Sequence, residues 1–307
     1  SLSAGPIKTL AASGIGDYRA SKALIVIHRL NMLISFRSTR SLLFHLSLIS
    51  ACVGFSPSCM TSLGAASPDH PAASIQSMLA PLEISKDYGV ALFAAEPDVM
   101  NPIAISVDEV GRVYLAETDR YRDAVFDVVT QKPEWLPKDL SFRSVQDRTD
   151  FLKQTFRHHL TPLTRGSERV RLLEDNDSDG AAESSRVLAD GFSSIPTGPA
   201  AGILAHHGRV WFQCVPGLWR LEWDPESHAV NSAQELHDGF GVHVGVSGHD
   251  LHGITWGPEG RLYFSMGDRG LHVKTSEKTL HYPDTGAVLR CEPDGSNLEV
   301  VAHGLRK

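Results

Sequence analysis

The chain holds four cysteines among 307 residues, and none stands in a CxxC or CxxCH arrangement. That excludes a zinc ribbon and covalent c-type haem attachment within these residues. Basic charge is also scarce: 29 Lys and Arg face 36 Asp and Glu, for a formal net charge of −7. Holding a phosphate backbone needs a basic face, so nucleic acid is excluded as the main partner. The apolar stretch 42–55 is broken by His45 and several serines, and it is too short for a good transmembrane helix. What is present is a hydrophobic content of 42%, enough for a real core, in a length that suits one large or two ordinary domains.

Residues 1–31 carry no initiating Met and no clear pattern. From Met32 onward, Arg37 and Arg40 precede the apolar stretch, which is the layout of a secretory signal peptide. Two processing sites compete. Gly64-Ala65-Ala66 has the small residues that signal peptidase requires, and Ile49-Ser50-Ala51-Cys52 resembles a bacterial lipobox that lipidates Cys52. The expectation is an unassigned upstream segment 1–31, a signal peptide 32–66, a Pro/Ala/Ser-rich linker 67–81 and a domain over 82–307. The product is then exported, and is periplasmic or membrane-anchored through Cys52. An ordinary N-terminal hydrophobic helix is the alternative. Cys52 and Cys59 fall in the leader region. Cys214 and Cys291 fall on expected strands and are read as buried free thiols, although an oxidising compartment permits a disulfide.

Three segments share the order Gly, Arg, aliphatic, aromatic, apolar: Gly111-Arg112-Val113-Tyr114-Leu115, Gly208-Arg209-Val210-Trp211-Phe212 and Gly260-Arg261-Leu262-Tyr263-Phe264. Each follows a short apolar run and a turn such as Gly257-Pro258-Glu259-Gly260. Each precedes a second strand pair: 170–174 with 185–188, 218–223 with 233–236, and 287–291 with 298–302. Four strands per repeat is the blade of a β-propeller, about 40–50 residues long. The spacing from second to third fits that period, whereas the spacing from first to second is about twice it. The expected fold is therefore all-β: about three four-stranded propeller blades, with a small helical insertion near 133–160 inside the first. Chance hairpins in a β-sandwich are the alternative. An opening strand is expected over 82–95. Residues 117–122 (ETDRYR) begin the insertion. Within 147–160, Phe151, Leu152, Thr155, Phe156 and His159 fall on one face at helical spacing, which predicts an amphipathic helix. His158 and His159 are adjacent, so they point apart on a helix and read as surface or packing residues.

Asp175-Asn176-Asp177-Ser178-Asp179-Gly180 is the sharpest local motif. Carboxylates at alternate positions, with Gly at the sixth, match the first half of an EF-hand-type calcium loop. Glu183 stands at the ninth position, with Arg186 where a true EF-hand has its bidentate Glu. The flanks are strand-like. The expectation is a hairpin turn in which Asp175, Asp177, Asp179 and Glu183 bind calcium, helped by the carbonyl of Ala181. An acidic turn without metal is the alternative, since Asp, Asn and Gly are also ordinary turn residues.

The stretch 248–270, GHDLHGITWGPEGRLYFSMGDRG, joins a hairpin to chemistry. Two imidazoles and a carboxylate, His249, Asp250 and His252, stand just before its first strand, where a rigid sheet presents side chains to a site. They also read as plain polar residues at a sheet end.

Together these residues resemble the N-terminal propeller of the membrane-bound dehydrogenases of Planctomycetes and Verrucomicrobia. The matching segments are AAEPDVMNPIAISVDEVGRVYLAET, WLPKDLSFRSVQDRTDFLKQ, RVRLLEDNDSDGAAESSRVLADGF, HDLHGITWGPEGRLYFSMGDRG and PDTGAVLRCEPDGSNLEVVAHGLR, which cover most of 82–306. Many members carry a haem-binding CxxCH domain further on, which these 307 residues lack. That family is similar to soluble quinoprotein sugar dehydrogenases, six-bladed propellers that bind pyrroloquinoline quinone (PQQ) at the mouth. The resemblance implies that His249, eleven residues before Gly260, is the general base and also lies against the cofactor. It implies that Arg306, in Gly304-Leu305-Arg306, contacts the quinone, with Lys307 in place of the family's Asn. An equivalent of the family's glutamine ligand is not visible. The implied activity is quinone-dependent oxidation of a sugar or other alcohol. In it an imidazole takes the hydroxyl proton, a guanidinium stabilises charge on the quinone and the cofactor carries the redox step. Three blades are half of six, and an open arc exposes strand edges. The expectation is thus a fragment or truncated reading frame, inactive as it stands. The rival expectation is a non-catalytic, calcium-stabilised propeller that binds a glycan or protein partner through its loop face.

Overall fold

The computed structural model describes residues 8–11, 23–29, 83, 88–245 and 248–306. The signal peptide expected over 32–66 with Cys52 and Cys59, the linker expected over 67–81, and Lys307 lie outside the described residues. Among the described residues, no helix is long and apolar enough to cross a membrane. The chain divides into two compact units: residues 1–99 with 175–184, and residues 100–174 with 185–307.

The smaller unit holds an antiparallel sheet of β1 (Lys8–Ala11), β2 (Ala23–Arg29) and β3 (Tyr88–Ala95), in that order. The opening strand expected over 82–95 is β3. Its partner β2 comes from the upstream segment, in register Ile25↔Leu92 and Val26↔Ala91. The run Leu24-Ile25-Val26-Ile27 is rich in β-branched residues, which are enriched in strands.

The larger unit is built from three four-stranded antiparallel sheets whose strand order follows the chain. Blade one is β4 (Pro102–Val107), β5 (Val113–Glu117), β6 (Glu168–Glu174) and β7 (Ser184–Phe192). Blade two is β8 (Ala200–His206), β9 (Arg209–Cys214), β10 (Gly217–Trp223) and β11 (Val230–Asp238). Blade three is β12 (Leu251–Trp256), β13 (Leu262–Met266), β16 (Gly286–Cys291) and β17 (Glu299–Leu305). A separate hairpin, β14 (Leu271–Lys274) with β15 (Thr279–Tyr282), interrupts blade three and was not expected. First strands are neighbours, β4 beside β8 and β8 beside β12, so the blades fan about a common axis. The fold is all-β, of propeller blades with a helical insertion.

The repeated Gly-Arg motif has a local cause. Gly111, Gly208 and Gly260 sit in the hairpin turns with φ of +92°, +71° and +82°, a region that side chains with a Cβ rarely adopt. The strand that follows must alternate its faces. In β9, Val210, Phe212 and Cys214 pack with Tyr114, Val170 and Leu172 of blade one. Trp211 points the other way, into a cluster with Leu251, Phe264 and Leu289 of blade three. Its indole Nε1 donates to the Pro293 carbonyl at 2.8 Å, docking the Pro-Asp-Gly turn of blade three. Cys214 and Cys291 are buried free thiols, as expected.

The insertion between β5 and β6 is helical, as expected. It contains a single 3₁₀ turn (Pro133–Trp135), α1 (Leu136–Asp139), α2 (Val145–Phe156) and α3 (Thr161–Thr164). Ser144 caps α2 by accepting from Asp147 N at 3.2 Å. Phe126, Trp135, Phe142, Phe151 and Phe156 form an aromatic group that packs on Val242 and Val244 of the β11–β12 loop. Two residues of the expected face are corrected: Thr155 and His159 are exposed. The buried stripe is Arg148, Thr149 and Leu152, flanked by Phe151 and Phe156. Arg157 takes φ +47° and ends the helix before His159 is reached. His158 and His159 are both exposed.

Charged groups tie the insertion down. The guanidinium of Arg120, with no solvent exposure, donates to carbonyls of Leu163 (2.9 Å), Arg165 (3.0 Å), Ser194 (3.1 Å) and Ser193 (3.2 Å). Glu168, also fully buried, accepts from Thr118 Oγ1 at 2.7 Å and from Ala200 N at 2.9 Å. Burial raises the Glu168 carboxyl to about 7, outweighing these two bonds and the nearby Arg120. Folding therefore favours the protonated acid. This contribution is fully present below about pH 4.5 and is lost as pH rises through about 7, a span worth about 3 kcal/mol. Glu168→Gln keeps an acceptor for Ala200 N and offers Thr118 a donor. We expect the variant to match the native protein in urea unfolding near pH 4.5 and to exceed it at pH 8. Equal pH dependence in the two proteins contradicts this assignment.

Candidate functional site

Strands of a blade alternate in direction, so alternate strand ends meet at one edge. At the edge of blade three, His249 precedes β12, Asp268 follows β13, Gly286 opens β16 and Arg306 follows β17. His249 Nδ1 is hydrogen-bonded to Asp268 Oδ1, and Arg306 Nε lies 3.8 Å from Asp268 Oδ2. The two residues expected at the cofactor thus converge on one carboxylate. Two glycines make the approach possible. A Cβ on Gly267 would lie 2.5 Å from the His249 carbonyl oxygen, and one on Gly286 would lie 2.9 Å from those of Leu305 and Met266.

A carboxylate can only accept, so in the tautomer that makes this bond Nδ1 donates and Nε2 is left as the acceptor. The His249 side chain is 18% exposed and that of Arg306 is 83% exposed. One imidazole is therefore oriented by a partner, beside a cation open to solvent. Asp268 was not singled out from the sequence. The signal was the hairpin register: Leu251 pairs with Met266 and His252 with Ser265, so stepping outward sets residue 249 opposite residue 268.

The other two residues of the strand entrance have structural roles. Asp250 is buried and paired to the buried Arg269, whose Nε donates to the His243 carbonyl at 3.1 Å. Neighbours on an extended chain face opposite ways, which turns Asp250 inward while His249 stays at the edge. His252 lies opposite Ser265 within the sheet, whose Oγ donates to the His252 carbonyl at 3.1 Å. His243, also not singled out, is buried with Nδ1 2.9 Å from the Asp139 carbonyl and Nε2 3.5 Å from Asp284 Oδ1. Burial pulls its basicity down, but Asp139 and Asp284 more than offset this and hold it above the ordinary value.

The acidic turn 175–184 belongs to the smaller unit, where Ala182 N donates to the Phe93 carbonyl of β3 at 2.9 Å. One carboxylate oxygen from each of Asp175, Asp177, Asp179 and Glu183 lies within 4.8 Å of the others. Backbone amides set this arrangement: Ser178 N donates to Asp175 Oδ1 (2.6 Å), Gly180 N to Asp175 Oδ2 (3.0 Å) and Ala181 N to Asp179 Oδ1 (2.8 Å). Ser178 and Gly180 take φ of +65° and +93°, which gives the sharp turn. Hard oxygen donors at this spacing suit calcium.

The fold and site define a propeller-blade protein with an imidazole–carboxylate pair at one blade edge and an acidic turn between two strands. Residues 74–306 match a family described as a domain of unknown function, DUF7133. The match spans most of the chain, and the protein belongs to that family. No curated protein matches the chain. Among solved structures, a chain of the crystal structure of a nidogen/laminin complex is similar at 12% identity and a TM-score of 0.38. The match covers 70% of this chain and 52% of that one, so it spans about half of the other protein, and likeness at this level carries no argument.

The acidic turn yields a direct expectation. A ligand selective for the folded state must stabilise it. Millimolar calcium should raise the melting temperature by several degrees, and Asp177→Ala should abolish the response. A flat calorimetric titration of folded protein, or an unchanged response in Asp177→Ala, contradicts it.

Proposed function

We propose that the blade-three edge is the reacting edge of an oxidoreductase that oxidises a sugar or other alcohol. The observation that carries this reading is the hydrogen bond between His249 Nδ1 and Asp268. In this reading His249 Nε2 takes the proton from the substrate hydroxyl, and Asp268 holds the ring and stabilises the imidazolium that results. Pyrroloquinoline quinone, when bound, supplies the hydride acceptor. The residues present fit that group in donor chemistry. Arg306 offers an exposed guanidinium to an anionic quinone oxygen or carboxylate, and His249 offers an acceptor nitrogen beside it. Asp268 couples the two, since it contacts His249 through one oxygen and faces Arg306 with the other. Calcium at the acidic turn acts on stability. Resemblance to the membrane-bound dehydrogenases supports the reading, as does the secretory pattern near Met32, which suits a periplasmic or lipid-anchored enzyme.

The test is reconstitution of the full-length gene product with the quinone and calcium, following quinone binding by absorbance and dye reduction with a panel of sugars and alcohols. We expect His249→Ala to lose about 10²-fold or more in kcat with fold and calcium binding kept. Asp268→Asn should lower kcat and shift its pH profile, and Arg306→Ala should weaken quinone binding. Failure of the folded, calcium-loaded protein to bind quinone overturns the reading and leaves the non-catalytic binding propeller in its place.

A further inference from the structure

On turns of blades one and two, a second group of side chains converges that the proposed activity does not use. Glu109 lies in the β4–β5 turn, His206 ends β8 and His207 begins the β8–β9 turn. His207 Nδ1 is 2.7 Å from Glu109 Oε1, and His206 Nδ1 is 3.5 Å from Glu109 Oε2. One ligand atom from each of the three residues lies within 4.8 Å of the others. We propose that Glu109, His206 and His207 bind a zinc ion that clips blade one to blade two.

The chemistry suits that ion. Two imidazoles and one carboxylate are a common zinc donor set, and bonds of about 2.0–2.1 Å in a tetrahedron place donors about 3.3 Å apart. The two distances above bracket that value. Adjacent residues of a strand face opposite ways, and here the backbone cancels the alternation. His207 takes φ +48°, and the two imidazole centroids come within 3.9 Å of each other. The carboxylate is positioned as well. His207 N donates to Glu109 Oε1 at 3.0 Å, and Asp108 Oδ1 accepts from Val110 N (3.1 Å) and Arg112 N (2.9 Å), fixing the turn that carries Glu109. The His206 ring packs edge-on to Trp256 of blade three at 5.5 Å. All three side chains are part-exposed, at 33% for Glu109, 45% for His206 and 67% for His207, so the ion can enter and water completes its coordination. The clip joins blades already in contact, since Ala205 N donates to Ser106 Oγ at 2.9 Å.

Zinc titration of the full chain by calorimetry tests this, with calcium present to fill the carboxylate turn. The expected result is that the native protein takes up one more equivalent of zinc than His206→Ala or Glu109→Gln. Zinc should raise its melting temperature by a few degrees, and neither variant should show that rise. Unchanged far-UV dichroism and an unchanged calcium response show that the variants fold. If one does not fold, His207→Asn takes its place. Identical zinc isotherms in native and variant proteins overturn the proposal, as does extra zinc uptake with no change in melting temperature.

Discussion

In β9, Val210, Phe212 and Cys214 are turned toward blade one while Trp211 is turned toward blade three, which makes blade two the middle layer of a stack. The strict two-residue alternation of a strand allows no other division of these side chains. Each face then recruits its neighbour. Tyr114 packs edge-on to Trp223 at 6.0 Å on one side, and Trp211 packs edge-on to Trp256 at 5.1 Å on the other. Truncating a buried aromatic of this kind to alanine costs about 3–5 kcal/mol. The register of β12 and β13 rests on this packing, and that register sets His249 opposite Asp268.

A second layer lies over the blade ends. Arg120 holds the end of the insertion and the β7–β8 loop through carbonyls on both. An unsatisfied buried polar group costs about 1–3 kcal/mol, so several carbonyls sharing one guanidinium depend heavily on it. Val128 N donates to the Gly245 carbonyl at 2.7 Å, and the aromatic group covers Val242 and Val244. The β11–β12 loop pinned in this way also carries His243 and leads into His249. The insertion therefore helps to hold the loop before the blade-three edge, although it contributes none of the three residues there.

What could be read in the sequence was local. The Gly-Arg hairpins, the interruption after Glu117 and the alternate carboxylates of the acidic turn are each set by neighbouring residues, and the structure places strands, insertion and turn where these signals put them. Contacts that depend on register or on packing between blades were harder to see. Asp268 needed the hairpin register, and Glu109 with His206 and His207 needed two blades to meet. Thr155 and His159 followed helical spacing, but spacing cannot show that Arg157 ends the helix or which side of it is covered. The β14–β15 hairpin falls inside a blade that the repeats read as four strands alone. Strand β2 went unread because its partner β3 is distant in the chain.

In the proposed reading Asp268 fixes His249 as a base with Nε2 free to accept a proton. Nitrogen NMR of the imidazole in the native protein and in Asp268→Ala tests it without cofactor or substrate. The account predicts that neutral His249 carries its proton on Nδ1 in the native protein, and that the preference weakens or reverses in Asp268→Ala. A proton on Nε2 of the native protein, or the same tautomer balance in both proteins, would contradict it.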